Sequence, residues 1–309
     1  MTADRLPLPA PPVHPARVAF LGSPEAAVAP LRRLHEAGIE VVQVVTRADA
    51  RRGRGGRTTP TPVKAAALEL GLPVTHDVAD LAGAGADLGV VVAFGQILRR
   101  DLLAALPMVN LHFSLLPRWR GAAPVERAIL AGDDTTGVCL MGVEEGLDTG
   151  PVYGRREVQI GPTATAAELT ASLSQISADL LVDGLRAGLH EPAPQVGEAT
   201  YADKVGRADR ALTWDLPVAQ LHRIVRIGGA WTTFRGRTFK VLAAAPADAA
   251  TSADRGPSGT IRDDLVACGD GWLRLQTVQP EGKGPMSASD WRNGARPAPD
   301  ERLGAEEAS

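Results

Sequence analysis

Cysteine is scarce in this chain, aromatic side chains make up only 4% of it, and no apolar run approaches the roughly 20 residues that a membrane-spanning helix requires. The two cysteines, Cys139 and Cys268, stand far apart with no partner spacing, which signals neither a disulfide framework nor a metal site. Each is expected to be a buried small hydrophobe in a reducing cytosol. The glycine motifs of nucleotide chemistry are missing as well: Gly22 alone follows the first apolar run, with neither G-x-G-x-x-G nor a P-loop. His35 and Glu36 begin like a zinc helix, but no second histidine follows at the required spacing, so no metal is expected. A formal net charge of -3 argues against general coating of nucleic acid, and any such contact must rest on a local cluster of cations. Met1 to Pro15 lacks the continuous apolar core of a secretory signal. A disordered leader and a cytoplasmic protein are the expectation.

At 309 residues the chain exceeds what one core usually encloses, so two domains are expected. The run from Arg17 to Gly22, the leucines Leu31 and Leu34 at helical spacing and the β-branched run from Ile39 to Thr46 predict a βαβ opening, with Ser23 as N-cap and Gly38 past the helix end. Asp87 to Leu98 carries the continuous apolar stretch of a strand buried on both faces. Further elements follow at Ala122 to Leu130 (helix), Gly137 to Val143 (strand) and about Thr165 to Leu189 (helix). His190 to Val205 contains prolines and no periodicity, and reads as a linker. Beyond it, a short helix from Pro217 to Ile227 precedes short strands with turns at Gly236 and Gly269 to Gly271, the pattern of a small β-barrel of OB-like form. The expected organisation is a leader over 1–15, a Rossmann-like, mostly parallel α/β domain over 16–190, a linker over 191–205 and an OB-like β-domain over 206–309.

Two stretches concentrate positive charge. Thr46 to Lys64 holds Arg47, Arg51, Arg52, Arg54, Arg57 and Lys64 against one acid, Asp49, and its glycines make a stable helix untenable there. Val218 to Leu242 holds Arg223, Arg226, Arg235, Arg237 and Lys240 with no acid. A solvated charge run and a phosphate-binding surface both fit such stretches.

The chemistry concentrates in VNLHFSLLPRWRGAAP, Val109 to Pro124, and GLDTG, Gly146 to Gly150. Two apart on a strand, Asn110 and His112 project from one face. Pro117 ends the strand, so the pair sits at a strand's C-terminal end, where open α/β sheets place ligands. His112 can donate to a developing oxyanion, Asn110 can hold a carbonyl oxygen, and Asp148 can orient the imidazole or take a proton. Such a group suits acyl transfer to an amine and needs no nucleophile.

The run Asn-x-His-x-Ser-Leu-Leu-Pro with its downstream Asp resembles the folate-dependent formyltransferases, and SLLPRWRGAAPV followed by GLDTG is similar to the branch of that family that acts on methionyl-tRNA. The resemblance implies Asn110, His112 and Asp148 as catalytic residues. It also implies a 10-formyltetrahydrofolate site lined by Ser114, Leu115, Leu116 and Pro117, with Phe94, Ile97 and Leu98 walling the pterin. The loop before TPTPVK, Thr59 to Lys64, matches the family's tRNA-contacting insertion. On that basis Arg51, Arg52, Arg54, Arg57 and Lys64, together with Arg235, Arg237 and Lys240 of the acid-free stretch, are the expected tRNA contacts. GAW at Gly229 to Trp231 and QPEGKGPMSASDW at Gln279 to Trp291 extend the resemblance into the C-terminal part. The expected activity is formyl transfer to initiator methionyl-tRNA by a monomer. A formyltransferase for an amino sugar nucleotide and a folate-binding module without catalysis are the alternatives.

Overall fold

The structure, a computed structural model, describes residues 8–51, 58–247, 256–299 and 301–305. Packing divides the chain into two compact units, the first comprising Met1–Val125, Thr135–Gln159 and Thr170–Asp203, the second Glu126–Asp134, Ile160–Leu169 and Lys204–Ser309. No helix among the described residues is long and apolar enough to cross a membrane.

The first unit is built on a seven-stranded sheet in the order Val152–Gln159, Thr135–Gly142, Met108–His112, Leu88–Val92, Arg17–Gly22, Glu40–Val45, Val74–Thr75. From Met108–His112 to the Val74–Thr75 edge all pairings are parallel; the Thr135–Gly142 and Val152–Gln159 strands are antiparallel additions. This is the Rossmann-like, mostly parallel layer expected, and its central strands are apolar, as strands buried on both faces are. Leu88–Val92 is buried at every position. The Val152–Gln159 strand escaped sequence reading because it is an edge strand carrying the exposed Arg155, Arg156 and Glu157.

Helix ends follow local chemistry. Thr61 N-caps Pro62–Glu69, its hydroxyl accepting from the Lys64 N–H at 3.0 Å. Thr165 and Glu168 form a capping box ahead of Ala166–Ala187, each side chain accepting from the other's backbone N–H. Ser23 does not cap as expected. A 3-10 turn, Glu25–Ala27, precedes the Val28–Glu36 helix, and the buried Ser23 hydroxyl instead accepts from the Thr46 hydroxyl and the Arg47 N–H. Tertiary partners thus outcompete the local cap.

Parts of the segments expected to be a disordered leader and a linker are bonded into this unit. Among residues 8–15, Leu8 packs on the core of Leu21, Val91 and Phe94, the Val13 carbonyl accepts from the Leu189 N–H, and His14 meets His190 edge-on; residues 1–7 lie outside the described residues. The supposed linker also belongs here up to Asp203. Ala193 bridges to Val152, and Tyr201–Ala202 pairs in parallel with Arg120–Gly121. Prolines removed the periodicity, but the backbone groups found partners elsewhere in the chain.

In the cationic loop, Ala50–Arg51 and Thr58–Thr59 pair as a short antiparallel ladder. Arg52, Arg54 and Arg57 lie outside the described residues, as does the Arg51 side chain.

The second unit contains an antiparallel sheet in the order Trp231–Phe234, Arg237–Pro246, Trp272–Pro280, Leu265–Ala267, Ile261–Arg262, with Met286–Ser287 also pairing Trp272–Pro280. Arg235 and Gly236 both take positive φ, 48° and 68°, the two-residue turn that matches the twist of a hairpin. The helices Val218–Arg226 and Ala288–Ala295 bring Leu221, Ile224, Val225 and Trp291 into a core with Phe239, Val241 and Val278. Trp291 meets Phe239 at a tilt and Phe234 edge-on, with centroids 4.6 and 5.1 Å apart. The antiparallel C-terminal β-domain agrees with expectation; the final helix, started by Ser287 as N-cap, was not foreseen.

Candidate active site

Met108–His112 pairs in parallel with Leu88–Val92 on one side and antiparallel with Thr135–Gly142 on the other, which puts Asn110 opposite Val91 and Met141, and His112 opposite Cys139. Alternation places Met108, Asn110 and His112 on one face. His112 is 5% exposed and Asn110 half-buried. Burial pushes the Cys139 thiol above its ordinary range, so it carries no thiolate chemistry beside them at neutral pH.

His112 is held from two directions. Its Nε2 donates to the Trp119 carbonyl at 2.8 Å, which requires a proton on that nitrogen and fixes the ring plane. Its Nδ1 faces Asp148 Oδ2 at 3.6 Å, an ion-pair distance longer than a hydrogen bond. Asp148 Oδ2 accepts from the Gly121 N–H at 2.8 Å. Only glycine fits there: φ is 121° and a Cβ would stand 2.9 Å from the Ala202 carbonyl oxygen. The GLDTG turn has a similar demand, since a Cβ on Gly150 would meet the Gly142 carbonyl oxygen at 1.9 Å. Trp119 and Asp148 themselves hold left-handed conformations, φ 62° and 49°, each costing about 1–2 kcal/mol and sustained by surrounding bonds.

Asn110, His112 and Asp148 therefore lie together, and two polar groups remain uncommitted to backbone: the His112 Nδ1 edge and the Asn110 carboxamide, which has no hydrogen-bond partner among the described residues. The other expected residues divide. Ser114 is fully buried and its hydroxyl donates to the Arg118 carbonyl at 2.5 Å, Leu115 packs against Gly137, Leu116 lies with Cys139 and Met141, and the Pro117 carbonyl accepts from the Thr200 N–H. These hold the loop after the strand, whose Leu116–Pro117 peptide is cis. Phe94 is buried and Leu98 half-buried in one apolar cluster, whereas Ile97 is 95% exposed.

Sequence reading missed Trp119, Arg120, Gln195 and Thr200. Thr200 accepts from the Trp119 N–H through its hydroxyl and from the Arg120 N–H through its carbonyl. Their partners lie some 75 to 81 residues away in sequence, beyond any local pattern.

Of the four expected cations whose side chains are described, three are engaged. Lys64 pairs with Asp49 at 2.8 Å and approaches His76. In the second unit Arg235 meets Glu301 through two bonds, at 2.6 and 2.8 Å, and Arg237 faces Glu281 at 3.6 Å. Two cations of the acid-free stretch thus meet acids remote in sequence. Arg235 in turn holds the Glu301 carboxyl below its usual range. Arg226 and Arg223 cap carbonyls of 161, 164 and 131. Lys240 is exposed and unpaired among the described residues, on a cavity of about 320 Å³ that also includes Arg210, Trp231 and Arg207, whose guanidinium stacks 3.9 Å over the indole.

Residues 16–185 match the formyl transferase family and residues 204–296 the formyl transferase C-terminal domain. The methionyl-tRNA formyltransferase of Roseiflexus castenholzii is 45% identical over 314 aligned residues, covering 93% of this chain and 99% of that protein. The chain belongs to the methionyl-tRNA formyltransferase family. A relative of the same name from Roseobacter denitrificans is 43% identical, covering 90% of this chain and 96% of the other. The fold is shared with an N-formyltransferase from Helicobacter canadensis, solved with folinic acid and dTDP-3-aminofucose, at a TM-score of 0.63 and 14% identity over 84% of this chain and 98% of that one. Membership makes the protein an enzyme of formyl transfer, with a formyl-tetrahydrofolate as donor.

Proposed function

We propose that this enzyme transfers the formyl group of 10-formyltetrahydrofolate to the α-amine of methionine on initiator methionyl-tRNA, a step of translation initiation in the cytoplasm. The observation that carries the proposal is the buried His112 facing a half-buried Asp148 beside an unpartnered Asn110 carboxamide, in a chain 45% identical to a methionyl-tRNA formyltransferase along nearly its whole length.

The apolar Phe94 and Leu98 fit the pterin of the folate, whose bound form supplies the formyl group. The amine nitrogen attacks the formyl carbon, and the carbonyl oxygen takes up negative charge. With His112 as the imidazolium, its Nδ1–H and the Asn110 carboxamide are the donors available to that oxygen, since the Nε2 proton is committed to Trp119. Asp148 keeps His112 oriented through Oδ2, and its second oxygen accepts the proton that the amine loses. The bond to the folate nitrogen then breaks, and that nitrogen regains a proton. The basic loop with Arg51, Arg52, Arg54, Arg57 and Lys64 takes phosphates of the tRNA, as do Arg235, Arg237 and Lys240. The Arg207–Trp231 stack offers a cation and a ring face to a nucleotide. Ser114 to Pro117 hold the loop in place and touch the folate chiefly through backbone and apolar atoms.

Transfer of labelled formyl from 10-formyltetrahydrofolate to charged initiator tRNA tests the proposal, with an amino sugar nucleotide as competing acceptor and Arg54→Ala alongside wild type. Formylated tRNA, lost affinity in the variant and an inert sugar support it. Formylation of the sugar alone would move the same chemistry to a different amine.

A further inference from the structure

Gln195 lies in the segment between the Ala166–Ala187 helix and the second unit, touches neither His112 nor the Asp148 carboxylate, and yet makes four hydrogen bonds with its one carboxamide. Its Nε2 donates to the carbonyls of Asp148 and Gly150, both at 2.8 Å. Its Oε1 accepts from Arg120 Nε at 3.0 Å and from an Arg120 terminal nitrogen at 2.6 Å. Arg120 stands between Trp119, whose carbonyl holds His112 Nε2, and Gly121, whose N–H holds Asp148 Oδ2. The backbones that grip the two members of the pair are therefore tied to each other through one side chain.

We propose that Gln195 is a positioning residue, a clamp that sets the separation of Asp148 from His112 by locking the 148–150 turn to the 119–121 strand. The proposal rests on the assignment of His112 and Asp148 to catalysis. Three features converge on it. The turn needs holding, because Asp148 sits in the left-handed region, where a non-glycine residue is strained. The clamp is oriented chemically: two carbonyls require donors and a guanidinium requires an acceptor, and a carboxamide is the side chain that supplies both at once. Finally, the same segment braces the strand a second time, since Thr200 takes the N–H groups of Trp119 and Arg120. A charge-assisted bond to Arg120 stiffens the acceptor side.

The test is formyl transfer by the full-length enzyme carrying Gln195→Leu, Gln195→Glu or Asp148→Asn, with kcat and the KM for initiator methionyl-tRNA and 10-formyltetrahydrofolate measured separately and active sites counted by single-turnover burst. Gln195→Leu removes both halves of the clamp. Gln195→Glu keeps size and the acceptor for Arg120 but sets a carboxylate against two carbonyl oxygens. Both are expected to lower kcat per active site about tenfold to a hundredfold, the effect of displacing a catalytic group by an ångström, with both KM values nearly unchanged. A merely structural role would reduce the number of active sites and leave kcat per site intact, which overturns the proposal. So does a raised KM, which would make Gln195 a substrate contact, or a Gln195→Glu variant as active as wild type. If Asp148→Asn keeps its rate, the catalytic assignment itself fails. If Asp148→Asn is slow while both Gln195 variants are fast, only the clamp fails.

Discussion

In the first unit, the His112 and Asp148 side chains are 6% and 16% exposed, and the partners that hold them from outside the pair are the Trp119 carbonyl and the Gly121 N–H. In the second, Arg235 and Arg237 are 52% and 68% exposed, and their partners are the carboxylates of Glu301 and Glu281. A backbone group cannot swing away without unfolding its strand or turn, so the first arrangement fixes a distance. An exposed side-chain partner such as Glu281, 3.6 Å from Arg237, holds a guanidinium weakly, and a phosphate can replace it at little cost. Chemistry at a developing oxyanion needs the first property, and an RNA surface needs the second.

Substitutions can break this contrast. His112→Ala and Asp148→Asn should cost the most, about two to three decades in kcat, with little change in the KM for tRNA. A KM effect without a kcat effect would turn the pair into a binding feature. The Gln195 variants should fall below these, since they move a catalytic group and leave it present.

Single alanines at Arg235 and Arg237 should raise the KM for tRNA only about two- to fivefold and leave kcat alone, because each cation exchanges one anionic partner for another. Lys240→Ala should raise it further, as Lys240 has no internal partner to give up. Measured across a salt series, each phosphate contact removed should flatten the logarithmic slope of affinity by about one. An unchanged slope for all three would return this face to ordinary solvated charge.

The smallest effect concerns His222, buried on the Val218–Arg226 helix. Burial, with Arg226 adding to it, holds its imidazole below its ordinary pKa. The unfolded chain takes up a proton below about pH 6.5 while the folded chain resists it, so stability present at neutral pH declines as pH falls through that range toward the folded value. Thermal unfolding midpoints measured from about pH 7.5 to about 5.5 should slope downward in wild type and less so in His222→Leu.

Features set within a few residues were legible in the sequence. The Met108–His112 strand with its polar pair, the Thr165 helix start and the turn at Arg235–Gly236 all follow from residues beside them. Features set by remote partners were not. Ser23 looks like a cap until Thr46 and Arg47 claim it, and Arg235 looks unpaired until Glu301 arrives from 66 residues away. Gln195 looks like linker for the same reason: a proline-containing segment has no periodicity to reveal that its carboxamide closes the site.

Single-turnover formyl transfer with both substrates saturating, comparing wild type with Asp148→Asn, tests the central claim most directly. The substitution keeps the shape of the side chain and an oxygen for the Gly121 N–H, but removes the charge that faces His112 and that the proposed mechanism uses to accept the amine proton. A rate constant lower by about two to three decades with unchanged substrate binding is the predicted result. A rate constant near that of wild type would contradict the account, since the best-held carboxylate of the site would then play no part in the transfer.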